Sequence, residues 1–514
     1  MLVLCPLTAQ AGTLLRIGNG PEPESLDPQR MSSVSALNIA RDLYEGLTRI
    51  GADGEIEPAA AWGWQIADGG RRYTFDLRPN LRWSNGAALT AQDFVAALRR
   101  VVDPATGAPY AQLFAPIVNA AAITAGHASP DTLAVWALGP SRLQILLKQP
   151  APYFLGLLAH PASFPIYLPA LAQYGRAFAR PGRLVSNGAY RLEAWRVESQ
   201  VALQRNRQYW DDAHTQIDRV QYVAGDDVAA QLQRYRAGEL DVTSEVPLVQ
   251  APRIRADEGS ELHVAAYLGS YFYGINMQRA PLGDHLALRR ALAMAIDREL
   301  IVDKVMNGLA LPAYGWVPPG VSGYQAQLPD WARWPYARRL AEAQRLLADA
   351  GYSAAHPLQV EIRYNTHDDH KRIATVIAAM WKQRLGVQAT LVNEENKVFF
   401  VHRRLGLTQI FRAAWIGDFD DALSFLDVLR AGNGRNDEHW HDTAYDALLQ
   451  RASSQSDPAA RAALLEAAER RALAAQPFIP IYWYVSKHLV KPRVHGWRDN
   501  LLDVHYSKDL GVDG

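Results

Sequence analysis

The sequence predicts an α/β or α+β protein built from more than one lobe, and three observations carry that expectation. Its 514 residues exceed what one hydrophobic core usually serves and suit two or three domains. Short β-like runs alternate with amphipathic helical stretches from end to end, with no repeat period and no low-complexity tract. Two long strand-like segments, one near residue 268 and one near residue 485, bracket everything between them. A chain that leaves one lobe, builds another and returns crosses twice, and two crossing strands form a hinge.

The elements follow in order. Leu14 to Ile17 reads as a strand, followed by a polar turn over Gly18 to Ser25. Val34 to Thr48 reads as a helix with Ile39, Leu43 and Leu47 on one face. Tyr73 to Arg78 alternates as a strand and runs to the turn Ser84-Asn85-Gly86, after which Thr90 caps a helix with Asp93 three residues on. Ala189 to Trp195 and Gln200 to Gln204 form a hairpin pair, Ile217 to Val223 a strand, and Val228 to Arg236 a helix ending at Gly238. Leu262 to Ile275, rich in β-branched and aromatic residues, is one continuous strand. Leu286 to Met306 reads as a single helix, and Ala337 to Ala350 as another closed by Gly351. Leu358 to Tyr364, His370 to Leu385 and Gln388 to Val392 follow in βαβ order, and Phe478 to Val485 is a last aromatic strand.

Composition narrows the function. The chain is 49% hydrophobic and 21% charged, with 53 basic residues balancing 53 acidic ones, so no net field favours nucleic acid or an anionic membrane. Met1 to Ala11 reads as the apolar part of a secretory signal ending in the small-residue pattern Ala9-Gln10-Ala11. Cys5 is the only cysteine, and Leu4 before it and Pro6 after it suit lipid attachment poorly. With cleavage after Ala11 the mature chain has no thiol, which suits an oxidising periplasm and excludes disulfides and thiolate metal sites. Past this segment no apolar run approaches the roughly 20 residues that span a bilayer, so a soluble mature chain is expected.

Motifs of catalysis are missing. There is no Gly-rich phosphate loop, no G-x-S-x-G elbow and no cysteine nucleophile in the mature chain. His367-Asp368-Asp369-His370 and His439-Trp440-His441 are histidine clusters without a zinc spacing; they read as solvated loops, and no metal site is expected. Asp420-Asp421 is a carboxylate pair, but adjacent positions point apart on a strand, and a helix start explains the pair better than acid/base chemistry.

Several ordered blocks then resemble one family. They are Leu26-Asp27-Pro28 with Arg41 to Leu47 (RDLYEGL); Leu81 to Gly86 (LRWSNG), continuing through Leu89 to Phe94 to Asp103-Pro104; and Ser186 to Tyr190 (SNGAY) with Arg205-Asn206 and Tyr209-Trp210. Tyr235 to Asp241 (YRAGELD), Pro312 to Gly315 (PAYG) and Arg412 to Asp418 (RAAWIGD) complete the set. Together they resemble the periplasmic oligopeptide-binding proteins of ABC importers, the family 5, cluster C extracellular solute-binding proteins. That resemblance implies a two-lobed periplasmic-binding-protein fold of type II, cluster C, with an extra inserted lobe and a two-strand hinge. The implied divisions are a discontinuous lobe I (12–40, 164–268 and 486–514), an inserted lobe II (41–163) and a lobe III (269–485), with residues 1–11 a signal remnant. The ligand would lie between lobes I and III. It further implies a periplasmic monomer with no cofactor and no enzymatic activity, whose partners are short peptides and the membrane permease of an ABC importer.

The same resemblance suggests roles. Asp418 matches the family's acid for the α-ammonium of a peptide. Backbone groups of Ala414 and Ile416, facing Glu22 to Glu24, would pair with the peptide as an added strand, although Pro23 offers no donor there. Arg412, Arg403 and His370 match basic positions for carboxylates of peptides of different length, a task suited to the planar fork of arginine. Tyr110, Trp415, Tyr273 and Tyr484 match pocket-wall aromatics. Two positions depart from the pattern: Met306 stands where some members carry a lysine for the shortest peptides, which argues against dipeptides, and Asn396 stands where an aromatic often walls a side-chain pocket. Peptides of roughly three to five residues are expected to be held by termini and backbone. The rival readings are cell-wall (murein) peptides, a non-peptide ligand such as a nickel chelate, haem or opine, an extracellular hydrolase, and a chaperone-like open groove.

Overall fold

The computed structural model describes residues 12–513, so the expected signal segment Met1 to Ala11, with Cys5, lies outside the described residues. The chain forms two compact units. Unit 1 takes the chain up to His263 and from Lys487 onward, and unit 2 is Val264–Ser486. Both passages fall inside the two long strands, Leu262–Ile275 and Phe478–Leu489.

Unit 1 carries a four-stranded sheet in the order Leu14–Gly18, Arg219–Val223, Gln200–Arg205 and Tyr190–Arg196. The first pair is parallel, and the predicted hairpin forms the other edge. The helix Val34–Leu43 buries Leu37, Ile39 and Leu43 in a core shared with Leu203, Val220 and Tyr222. This helix stops short of the predicted Thr48. Tyr44 leaves helical geometry, and a side chain at Gly46 would stand 2.6 Å from the Phe164 ring and 2.7 Å from the Leu158 carbonyl oxygen. Leu47 is therefore buried outside the helix, and Thr48–Ile50 becomes a strand. A second four-stranded sheet (Ala61–Ala67, Arg72–Leu77, Arg142–Leu146, Val135–Ala137) lies within residues 61–146. Beside it runs the helix Ala91–Val102, whose Asp93 carboxylate accepts the Thr90 N–H (2.8 Å) and hydroxyl (3.0 Å), as the capping pattern foretold.

Unit 2 is built on a six-stranded sheet in the order Leu311–Pro312, Phe478–Leu489, Leu262–Ile275, Ile410–Ile416, Gln359–Asn365 and Gln388–Glu394. The expected βαβ unit is present: Gln359–Asn365 and Gln388–Glu394 run parallel, joined by the helix Asp368–Leu385. The expected helix Leu286 to Met306 is broken instead. Leu286–Met294 ends, Asp297 caps a new turn by accepting the Leu300 N–H, and a wider-wound segment covers Ile301–Val305. Arg298, fully buried, causes the break: its guanidinium donates to the carbonyls of Ala293 (3.0 Å), Ile296 (3.2 Å) and Pro480 (2.8 Å). The Ala293 and Ile296 carbonyls are acceptors that a continuing helix would have satisfied itself.

Two buried acids lock this unit. Glu469 accepts the N–H groups of Trp316 (2.7 Å), Val317 (2.8 Å) and Gln327 (3.1 Å) and the Tyr324 hydroxyl (2.5 Å). Asp421 receives both arms of Arg461 at 2.6 and 2.9 Å, and its Oδ1 caps the next turn through the Leu423 N–H. The helix-start reading of Asp420-Asp421 therefore holds. His439-Trp440-His441 lies outside any strand, with Trp440 buried beside Tyr445.

Candidate ligand-binding site

The strand Ile410–Ile416 sets the geometry of unit 2. It pairs antiparallel with Leu262–Ile275, with Tyr273 opposite Arg412 and Tyr271 opposite Ala414. The Gly417 N–H reaches the Leu268 carbonyl and the Asn276 N–H the Gln409 carbonyl. In an antiparallel ladder that alternation turns the backbone groups of the even-numbered residues Ala414 and Ile416 away from Leu262–Ile275. On their side the strand Gln359–Asn365 pairs only with Ile410 and Phe411. Beyond Phe411 the sheet therefore has an open edge among the described residues, with Ala414 half-buried and Ile416 exposed.

Alternation also puts Arg412, Tyr271 and Tyr273 on one face. Tyr271 stacks on Tyr482 with ring centres 4.6 Å apart, Tyr484 packs edge-on against both, and the Arg412 guanidinium lies 4.9 Å from the centre of the Tyr271 ring. His370, in the first turn of Asp368–Leu385, completes the group through its Nδ1, 3.3 Å from the Tyr271 hydroxyl. Burial first, then the charge of Arg412 and the neighbouring His367, push His370 down to about 3, so at neutral pH it is an uncharged partner. Arg412 has no carboxylate partner among the described residues, its buried Nε has no hydrogen bond, and the Tyr273 hydroxyl is likewise buried without one. The result is a tyrosine-walled recess around one cation with no counter-charge. Tyr271 and Tyr482 escaped the sequence reading, although each stands two positions from an assigned tyrosine on the same strand.

A second group forms past the end of the strand. Asp418 is half-buried, its N–H donates to the Ser424 hydroxyl (2.9 Å), and its carboxylate accepts no hydrogen bond among the described residues. Burial pushes it up to about 6, with Arg435 opposing from a distance. Trp415 lies on the opposite face from Arg412, anchored by its indole N–H on the Ser424 carbonyl (2.7 Å) and covered by Arg435 at 5.0 Å.

Other assigned residues have different surroundings. Arg403 is paired with Asp437 at 2.6 Å and lies over the rings of Phe400 and Phe411. The adjoining Glu438 is buried, which raises it to about 8. Asn396 is exposed at the start of the helix Asn396–Arg404, and Met306 is buried. In unit 1, Glu22 accepts the Trp195 indole N–H (2.6 Å) and the Glu198 N–H (3.0 Å). Glu24 accepts the Ser33 N–H at 3.0 Å together with the Ser32 N–H and Ser33 hydroxyl, ahead of the helix Val34–Leu43. Tyr110 reaches the same turn, its hydroxyl 3.4 Å from the Ser32 carbonyl and its ring 4.4 Å from His160. Thus Glu22 and Glu24 hold their own segment in place with their carboxylates, while Arg412, His370, Tyr273 and Tyr484 come together in unit 2.

Residues 55–437 match the family described as bacterial extracellular solute-binding proteins, family 5. This chain belongs to that family. The family 5 chain is 40% identical to the probable deoxycholate-binding periplasmic protein YgiS of Escherichia coli, over 99% of this chain and 94% of that one. It is 38% identical to the periplasmic oligopeptide-binding protein OppA of Salmonella typhimurium (98% and 93%) and 36% identical to the periplasmic murein peptide-binding protein MppA of Escherichia coli (96% and 91%). Among solved structures it superposes on Escherichia coli MppA with a TM-score of 0.85 at 35% identity, covering 98% of both chains. On Haemophilus influenzae OppA in complex with RPPGFSPFR the TM-score is 0.83 at 33% identity, covering 98% and 99%. The family 5 solute-binding protein therefore has the mixed α/β periplasmic-binding fold that its sequence predicted.

Proposed function

We propose that this protein is the periplasmic, non-catalytic binding component of an ABC importer and that it captures short peptides by their two charged ends and their backbone. The observation that carries this reading is the pairing, on one strand and the turn after it, of a cation with no counter-charge and a carboxylate with no partner. An ion left alone in a partly buried site costs several kcal/mol, and a ligand bringing the opposite charge relieves that cost. Asp418 would take the α-ammonium, Arg412 the carboxylate with His370 as a neutral hydrogen-bonding neighbour, and the open edge at Ala414 and Ile416 the peptide backbone. Six residue steps separate Arg412 from Asp418, about 20 Å in extended chain. Allowing for the reach of the arginine, this suits peptides of roughly three to five residues. Arg403, whose charge Asp437 already answers, would serve longer peptides only by exchanging that partner. The Tyr273, Tyr484 and Trp415 rings of unit 2 would wall side-chain pockets. Relatives named for oligopeptides and murein peptides, all periplasmic, support the cargo class and the compartment.

A second reading has its own support, because YgiS is named for deoxycholate. A bile acid offers an apolar body and one carboxylate, which the tyrosine recess around Arg412 could hold, but it gives Asp418 nothing. Calorimetry with a tripeptide, its N-acetylated and C-amidated forms, and deoxycholate separates the two. The free tripeptide should bind, and each blocked form should lose at least tenfold in affinity, about 1.4 kcal/mol. Binding of deoxycholate with no response to the tripeptide would replace the peptide reading by the other.

A further inference from the structure

Away from the peptide-binding residues, unit 1 brings three side chains of metal-ligand type to one point. His488, Asp503 and His505 place one donor atom each within 4.8 Å of one another. His488 Nε2 lies 3.0 and 3.1 Å from the two Asp503 oxygens, and His505 Nε2 lies 3.1 Å from Oδ1 of the same carboxylate. We propose that these three residues form a binding site for a divalent transition-metal ion of the zinc type, with water completing the shell.

Four features carry the inference. Zinc sits about 2.0–2.2 Å from nitrogen and oxygen ligands, so two ligands at a tetrahedral angle stand about 3.3 Å apart, close to the spacings found between the imidazoles and the carboxylate. The far nitrogen of His488 is already committed: Nδ1 lies 2.8 Å from the Thr243 carbonyl and must donate to it. That carbonyl–histidine arrangement orients the ring, and the proton that Nε2 shares with the Asp503 carboxylate is the one a metal would displace. Thr243 is itself held, because its N–H and its hydroxyl both pair with Leu489.

The remaining ligands are equally well fixed. His505 lies flat on Trp497, ring centres 3.7 Å apart at 18°. Asp503 adopts a left-handed backbone with φ of 53°, a cost that the surrounding loop must offset. Asn500 does so by bonding Val504 twice, through Nδ2 to its carbonyl (2.9 Å) and through Oδ1 to its N–H (3.1 Å). A set of donors held from behind is what a preorganised metal site needs. None of the three is fully exposed (11%, 24% and 14% of the side chain), which leaves room for entry and for a water ligand.

The position gives the ion a structural role. His488 belongs to the strand that re-enters unit 1 at Lys487, and Trp497 also packs against His263, the last unit 1 residue of the outgoing strand. A bound ion would pin the returning strand to the 499–505 loop at the root of both crossings.

The test is calorimetric titration of the chelator-treated full chain with Zn²⁺, and with Co²⁺ for its optical spectrum. One ion per chain is expected, with cobalt bands of tetrahedral or five-coordinate nitrogen and oxygen ligation and a raised unfolding temperature. Asp503→Asn, which keeps shape and loses the charge, and His488→Gln should each weaken binding at least tenfold. His214→Gln, at an exposed histidine, should leave it unchanged. Long-range histidine NMR on the wild-type chain should show zinc moving the Nε2 signals of His488 and His505. The proposal is overturned if no saturable binding occurs, if zinc shifts other histidines instead, or if folded Asp503→Asn binds as tightly as the wild type. Those outcomes would leave Asp503 as the shared hydrogen-bond partner of two imidazoles and nothing more.

Discussion

Arg412 lies over the face of Tyr271, guanidinium carbon 4.9 Å from the ring centre, and the strand pairing that places Tyr271 opposite Ala414 holds the two in register. The ring attracts the cation without neutralising it, so the arginine keeps its full charge for a ligand. Replacing it by methionine should reduce affinity for any carboxylate-bearing ligand at least tenfold, about 1.4 kcal/mol. Arg412→Lys should fall between, since an ammonium gives up the two-pronged grip and the stacking. Calorimetry on both variants checks the order.

Asp418 separates ligand classes. Asp418→Asn should weaken tripeptide binding at least tenfold, about 1.4 kcal/mol, and leave an ammonium-free carboxylate ligand unaffected. Equal peptide affinity of variant and wild type would remove the ammonium anchor.

The same residue makes binding depend on pH. In the free protein burial pushes Asp418 up to about 6, while a bound ammonium favours the ionised form and lowers it. Affinity should therefore be full above about pH 7 and fall as pH drops through about 6, by at most about tenfold per unit for one proton. His370, pushed down to about 3, stays uncharged throughout that window. Titrations between pH 5 and 8 should show this slope in the wild type and a flat profile in Asp418→Asn.

Stability of unit 2 should depend on Asp421 and Arg461, whose side chains are only 11% and 9% exposed. Asp421→Ala leaves a buried guanidinium without its carboxylate and should cost about 3 kcal/mol. Changing both residues to leucine and methionine should recover much of that loss, because the desolvation penalty disappears with the pair. Urea unfolding of the two variants gives the comparison.

Continuous apolar pattern was legible where the residues of one run agree on a single element. Leu262–Ile275 matched its expected limits because its β-branched and aromatic run has no competing period. Leu286 to Met306 misled, since its helical period continues past Ala295 while the break comes from Arg298 reaching carbonyls that include Pro480, far along the chain. The site divides the same way. Arg412 and Asp418 came from a local block of sequence, and Ala414 and Ile416 came from the same block. That Asp437 already occupies Arg403, and that His488 meets His505 on Asp503, depends on pairings between separate elements that no spacing encodes.

The location of the two passages between units orders events during synthesis. Val264–Ser486 is one uninterrupted stretch whose first and last strands are neighbours in its sheet, so it leaves the ribosome whole. Unit 1 has by then been waiting for its closing pieces: Val490, which bridges Val242, and the pair Val494–His495 with Gly511–Val512. The half that begins first is thus finished last. Loss of the tail would unravel the beginning of the molecule and spare its middle.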